Sequence, residues 1–271
     1  MASPPVRSPR SDPPPKSSAK SATTPNASSA TSRANCSARD PSLTFLLPTS
    51  QPVLIDLHTH THPLSHDSLL SPDELIEAAK ASSLDAVCLT EHDFFWDHAE
   101  VAALSKRHDF LVIPGIEVNT EDGHIVVFGL ERFVYGMHRL HELARLAESA
   151  GAVMIAAHPY RRQLPFELRH EGDWTDVLER AAANAAFAHV TAIETHNGRG
   201  SDRENAFAAE LAARLKLPAT AASDAHERKD IGRCATEFER KVTDLDDLIT
   251  ELRAGRFKPA VLRPTPTRSD V

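Results

Sequence analysis

Residues 53–60 run Val53-Leu54-Ile55-Asp56-Leu57-His58-Thr59-His60, an apolar stretch that closes on two histidines. A short apolar run ending in His-x-His is the pattern of a buried strand delivering imidazoles at its C-terminal end. Side chains two apart on a strand share a face, so His58 and His60 are expected to point into one site. Imidazole is a standard ligand for zinc, manganese and iron. Taken alone, the same pattern also describes a polar strand end with two solvated histidines. Four later segments repeat the design: Leu89-Thr90-Glu91-His92-Asp93, Ile113-Pro114-Gly115-Ile116-Glu117, Ala156-Ala157-His158-Pro159 and Ala222-Ser223-Asp224-Ala225-His226. Five strand ends of one chemistry point to a single metal site.

The surrounding chain bounds the class. Its 271 residues suffice for one large α/β domain, and 41% hydrophobic with 25% charged residues is ordinary globular composition. No stretch approaches the roughly 20 apolar residues needed to span a bilayer, so no membrane partner and a cytoplasmic location are expected. A net charge of −8 speaks against a surface that coats double-stranded nucleic acid, while leaving room for a small anionic substrate. The three cysteines show no CxxC spacing, which excludes a disulfide framework and a zinc ribbon. Fifteen histidines are a heavy load. With no Gly-x-Ser-x-Gly elbow present, they do not suit a serine hydrolase.

Residues 1–48 are rich in Ser, Pro, Ala and Thr, and are expected to form a disordered tail because they offer too little apolar surface to offset ordering entropy. No apolar core follows the early arginines, so a secretory signal is not expected. From residue 49 to about 265 the chain alternates strand-like and helix-like runs and is expected to form one domain. Strands are expected at 53–57, 86–90, 110–117, 125–130, 152–157, 190–195 and 219–222. Helices are expected after the capping box Ser71-Pro72-Asp73-Glu74 and at 98–108, 136–150, 175–187, 203–215 and 245–254. The alternation indicates parallel βαβ units with ligands at the C-terminal strand ends, as in a (β/α) barrel. Residues 119–123 are too short for a crossover helix, so the strands on either side are expected to form a hairpin or a sharp bend.

In order along the chain, the segments resemble the PHP (polymerase and histidinol phosphatase) family: Asp56-Leu57-His58-Thr59-His60, His66-Asp67-Ser68, Thr90-Glu91-His92-Asp93, Pro114-Gly115-Ile116-Glu117, His124, Ala157-His158-Pro159 and Ser223-Asp224-Ala225-His226. The resemblance implies a distorted (β/α)7 barrel and two or three divalent metal ions. It implies His58 and His60 as the opening ligand pair, with Asp224 and a bridging Glu117. It also carries Asp67, His92, His124, His158 and His226 into the ligand set. Two departures are His66-Asp67-Ser68 for the family's Ser-Asp-Gly turn, and Glu91 where Asp is usual. His196 ends an apolar run and is expected at the same rim as a ligand or substrate contact. Asp56 and Asp93 are expected to fix imidazole tautomers.

Chemistry gives an independent reason for this donor set. Two ions roughly 3.5–4 Å apart can hold a bridging hydroxide for attack on phosphorus and clamp both oxygens of an in-line displacement. Mixed nitrogen and oxygen donors suit manganese, zinc or iron better than magnesium. Arg161 and Arg199 follow strand ends and are expected to grip phosphate, with His158 assisting the leaving group. The expected function is a metal-dependent phosphoesterase acting on a small phosphorylated metabolite or nucleotide. The alternatives are an amidohydrolase-type enzyme on the same site and a metal-bearing scaffold without turnover.

Overall fold

A computed structural model describes residues 52–164 and 171–263, with backbone alone at 171–172. The expected tail at 1–48 lies outside the described residues, as do the last positions of the expected domain. In chain order the elements are β1 (Val53–Thr59), α1 (Pro72–Ala81), β2 (Ala86–Leu89), α2 (His98–His108), β3 (Leu111–Pro114), β4 (Ile116–Thr120) and β5 (Gly123–Phe128). They continue with α3 (Leu140–Ala150), β6 (Val153–Ala156), α4 (Glu171–Ala182), a 3₁₀ turn (Ala185–Ala188), β7 (Ala192–Asn197) and α5 (Asp202–Leu215). The last are β8 (Ala219–Ala222), β9 (Cys234–Phe238), α6 (Leu245–Ala254) and β10 (Phe257–Val261).

The helices begin where their caps dictate. Ser71 accepts from the Glu74 amide while the Glu74 side chain returns to the Ser71 amide, and Ser201 and Glu204 repeat this box at the start of α5. Asp97 caps α2 and Asp244 caps α6. Among the described residues no helix is long and apolar enough to cross a membrane.

The strands form two five-stranded sheets, β10-β9-β1-β2-β3 and β4-β5-β6-β7-β8. Pairing is parallel for β1–β2, β2–β3, β6–β7 and β7–β8. It is antiparallel for β4–β5, β5–β6, β1–β9 and β9–β10. This mixed arrangement is less regular than the βαβ alternation expected from sequence. The hairpin expectation holds, since β4 and β5 pair up to Thr120 opposite Gly123. One core draws on both sheets: Ile55, Cys88 and Ile113 meet Val126, Phe128, Ile155 and Ala222, with Leu248 and Leu252 of α6 joining them.

Two short seams tie the sheets at their strand ends, an isolated bridge between Thr59 and Ala225 and another between His92 and Glu117. At the second seam the chain passes from β3 to β4 through Gly115, whose amide donates to the Leu89 carbonyl at 2.9 Å. A Cβ at Gly115 would stand 2.6 Å from a Phe128 ring carbon and 3.0 Å from a Thr90 methyl. Only glycine lets the chain pass this close to the core and still deliver Glu117 two residues later.

Candidate metal centre

Glu117 lies at the centre of the buried polar cluster and is fully buried. Its Oε2 is 3.4 Å from His58 Nε2, 3.3 Å from His60 Nε2 and 2.8 Å from His92 Nδ1. Its Oε1 meets His124 Nδ1 at 2.8 Å and His158 Nε2 at 3.1 Å. A carboxylate with different imidazoles on its two oxygens has the geometry of a bridge. Asp224 stands opposite: its Oδ1 is 3.4 Å from His60 Nε2 and 3.7 Å from His58 Nε2. Asp67 reaches in from the rim, with Oδ2 at 2.9 Å from His226 Nε2 and Oδ1 at 3.7 Å from His92 Nε2.

The structure thus brings together His58, His60, Asp67, His92, Glu117, His124, His158, Asp224 and His226. Three overlapping triads among them, His60/His92/His226, His58/Glu117/His158 and His58/His60/Asp224, keep their donor atoms within 4.8 Å of one another. Backbone turns aim several of these groups. Asp93, His158 and Asp224 each have positive φ, an uncommon conformation for residues other than glycine and one concentrated at functional sites.

Whether these residues suit metal ions is decided by their unused atoms. His58 Nε2, His60 Nε2, His92 Nδ1, His226 Nε2 and Glu117 Oε2 are buried and have no hydrogen-bond partner among the described residues. His92 Nδ1 and Glu117 Oε2 are only 2.8 Å apart, and His226 Nε2 and Asp67 Oδ2 2.9 Å, yet both contacts lack hydrogen-bond alignment. Five orphaned donor atoms in one place would cost about 1–3 kcal/mol each. A cation shared among them removes that cost.

The opposite ring nitrogens are already committed. His58 Nδ1 pairs with Glu194 Oε2 at 2.9 Å, and His226 Nδ1 faces the Asp224 carbonyl at 2.9 Å. His60 Nδ1 meets Ser65 Oγ at 3.1 Å, and that hydroxyl donates to Glu91 Oε2 at 2.5 Å. In His58 and His60 the Nδ1 contact leaves Nε2 as the nitrogen facing the cluster, as a metal ligand requires, whereas His226 Nδ1 faces both the Asp224 carbonyl and the Arg199 guanidinium, an acceptor and a donor. The residues fit a metal centre.

Without an ion in the cup the charges balance within it, and His58 carries a proton on each nitrogen, the Nε2 proton being the one a metal ion would displace. Burial acts to lower the His58 pKa, but Glu117, Glu194 and Asp224 outweigh it and hold His58 well above its ordinary value. Burial dominates at His60, which is pushed down to about 4 and stays neutral. Burial acts to raise Glu117 and Asp224, yet the His58 charge together with hydrogen bonds from neighbouring imidazoles overrides it and keeps both well below the usual carboxylate range.

Three residues singled out in the sequence make contacts other than with the cluster imidazoles. His196 does not join the cluster; its Nδ1 contacts the Thr195 hydroxyl at 3.1 Å. The register of β7 against β8 slips between Glu194 and His196, so Asn197 instead of His196 returns to the face of Glu194. Asp56 fixes no imidazole: its Oδ1 accepts from the Ser223 amide at 3.0 Å, and burial pushes it up to about 7. Asp93 binds the Asn119 amide and side chain, not a cluster imidazole. Arg161 and Arg199 do reach the site, the first paired with Asp224 and with Asn197 Oδ1 at 2.9 Å, the second with Nη1 2.7 Å from His226 Nδ1.

Sequence reasoning overlooked Glu194 and Asn197. The signal was there in Ile193-Glu194-Thr195, an acid inside an apolar strand. A cavity of about 290 Å³ opens beside His124 and His158, and Tyr160, Arg161, Asn184 and Phe187 also line it. A larger recess of about 650 Å³ along α2 and β3 contains none of the cluster residues.

A mixed α/β protein with a buried histidine–carboxylate cup at its strand ends belongs to the class built to bind metal. Comparison with known proteins makes the assignment specific. A PHP domain model matches residues 56–197, more than half of the chain, and a PHP-associated model matches residues 202–257. The chain belongs to the PHP family.

Uncharacterized protein MJ1587 of Methanocaldococcus jannaschii is 28% identical over 115 residues, covering 39% of this chain and 67% of its own length. A 3',5'-nucleoside bisphosphate phosphatase of Chromobacterium violaceum is 36% identical over 81 residues, 28% of either chain. Among solved structures, PsfC from Pseudomonas syringae PB-5123 shares the fold with a TM-score of 0.54 at 19% identity, over 81% of this chain and 93% of PsfC.

Proposed function

We propose that this chain is a metal-dependent phosphoric ester hydrolase acting on a small phosphorylated metabolite or nucleotide. The observation that carries it is the set of five buried ligand atoms without a hydrogen bond, Glu117 Oε2 and an imidazole nitrogen each of His58, His60, His92 and His226. In this proposal two or three divalent ions, manganese, zinc or iron, are held by His58, His60, Asp67, His92, Glu117, His124, His158, Asp224 and His226. Bound ions supply Lewis acidity toward phosphoryl oxygens and a nucleophile drawn from water at neutral pH.

The chain's own groups do the rest. Arg161 and Arg199 border the cup and offer guanidinium groups to the phosphate. His158 lines both the cup and the adjoining cavity, and serves either as a ligand or, left uncoordinated, as the proton donor to the leaving oxygen. The cavity of about 290 Å³ takes the leaving group, a size in keeping with a small substrate. The bisphosphate phosphatase relative supports a phosphate ester over an amide.

We also propose that the two sheets form the wall of a distorted (β/α)7 barrel, supported by the seams at Thr59–Ala225 and His92–Glu117. The hydrolase domain is taken as residues 49–265, with 1–48 outside it.

The test is a panel of phosphate monoesters, cyclic phosphodiesters and amides offered to protein loaded with manganese or zinc. Chelator-sensitive hydrolysis of a phosphate ester is expected. Cleavage of amides with no turnover of any phosphate ester would overturn the proposal.

A further inference from the structure

The strand end of β7 carries two buried groups with no assigned role, Glu194 and Asn197. Glu194 accepts on both oxygens. Oε2 takes His58 Nδ1–H at 2.9 Å, and Oε1 takes Asn197 Nδ2–H at 2.6 Å. The second Asn197 amide hydrogen reaches Asp224 Oδ2 at 3.3 Å. Asn197 Oδ1 accepts from Arg161 Nη1 and from the Arg199 backbone amide, each at 2.9 Å. Guanidinium and backbone N–H groups can only donate, so the Asn197 amide has one permitted orientation. Asn205 locks the backbone beneath it, its Oδ1 accepting from the Asn197 amide at 3.0 Å and its Nδ2 donating to the Asn197 carbonyl at 3.2 Å.

We infer that Glu194 and Asn197 are positioning residues that set the tautomer of His58 and couple it to the arginines beside the cup. The inference rests on the metal centre proposed above. Glu194 requires a His58 proton on Nδ1, which leaves Nε2 as the ligand nitrogen toward Glu117 and Asp224. Asn197 then holds Glu194, Asp224 and Arg161 in one arrangement. The slip in β7 register is what allows this, because it returns Asn197 to the face of Glu194.

The role can be separated from simple packing by comparing two substitutions. Glu194→Gln keeps shape but leaves one acceptor oxygen for two donors. If the new amide nitrogen faces Asn197, two donors collide. If it faces His58, the His58 proton is driven to Nε2, the atom needed by the metal. Glu194→Asp is a poorer match in length, yet it keeps the charge and both acceptors.

Zinc affinity, measured by competition with a chromophoric chelator, is expected to fall about 10- to 100-fold in Glu194→Gln, and by less in Glu194→Asp. Circular dichroism monitors folding of each. A glutamine variant that binds zinc as well as or better than the aspartate variant would overturn the inference. A readout on the unmutated protein does not depend on how the variants fold. In zinc-loaded, ¹⁵N-histidine-labelled wild type, His58 is expected to show Nε2 ligation with a protected Nδ1–H; Nδ1 ligation would overturn the inference. Wild type that takes up no zinc would instead defeat the metal centre itself, so the two failures are distinguishable.

Discussion

Glu117→Gln is the sharpest perturbation of the proposed centre, because it keeps size and one carbonyl oxygen while removing the charge. The carboxylate faces His58, His60 and His92 with one oxygen and His124 and His158 with the other, all within 3.4 Å. An ion held by either group of imidazoles would sit within a few ångströms of that charge. Two unit charges 4 Å apart at an effective dielectric of about 20 interact by about 4 kcal/mol. The remaining carbonyl ligand recovers part of this, so a net loss of about 3 kcal/mol is expected. That corresponds to roughly 10²-fold in metal affinity and, where turnover depends on the ions, roughly 10²-fold in rate. The fold should survive, since Glu117 lies at the strand ends and the apolar core beneath is untouched. Metal content by elemental analysis, far-UV circular dichroism and phosphoesterase rate are read on one preparation. Full metal content with near wild-type turnover would show that Glu117 is not the bridge.

Other outcomes follow from the same geometry. His196→Ala should leave metal stoichiometry unchanged by elemental analysis, because the β7 slip turns that ring away; loss of an equivalent would restore it to the site. Gly115→Ala should destabilise by about 1–3 kcal/mol through overpacking against Phe128, read as a lower denaturation midpoint; an unchanged midpoint would mean the seam has room. Chelation should lower the melting temperature. Ions at 100 times their dissociation constant add about 2.7 kcal/mol, or roughly 5–10 °C for a domain of this size; equal melting curves with and without chelator would contradict a metal centre coupled to folding.

What the sequence made legible follows from what each signal depends on. The ligand-bearing strand ends were readable because each is local: a few apolar residues, then His, Asp or Glu. The start of α1 was readable from the capping box at Ser71, which acts within one turn. β9 and β10 were not. Cys234–Phe238 is a strand because it lies antiparallel to β1, with Ile55 opposite Thr236, and that partner is far away in sequence. Phe257–Val261 contains Pro259, which argues for an edge, and β10 is an edge strand.

The place of His196 outside the cluster and the oversight at Asn197 have one cause. Strict alternation puts residues 194 and 196 on one face, and only a register slip exchanges 196 for 197. Such a slip is decided by the neighbouring strand: Glu194 pairs with Thr220 while His196 pairs with Ala221, so β7 spends two residues where β8 spends one. The backbone turns at Gly198 and Gly200 then fit only without side chains. A Cβ at Gly198 would meet the Ser223 carbonyl at 2.8 Å, and one at Gly200 the Asn205 Oδ1 at 2.7 Å. The sequence Asn197-Gly198-Arg199-Gly200 is therefore the local mark of a non-local event. Its glycines permit the approach to β8 that aligns Asn197 with Glu194 and Asp224. Periodicity identifies a strand's face only until the first bulge, and in this fold the bulge lies at the strand end that supports the site.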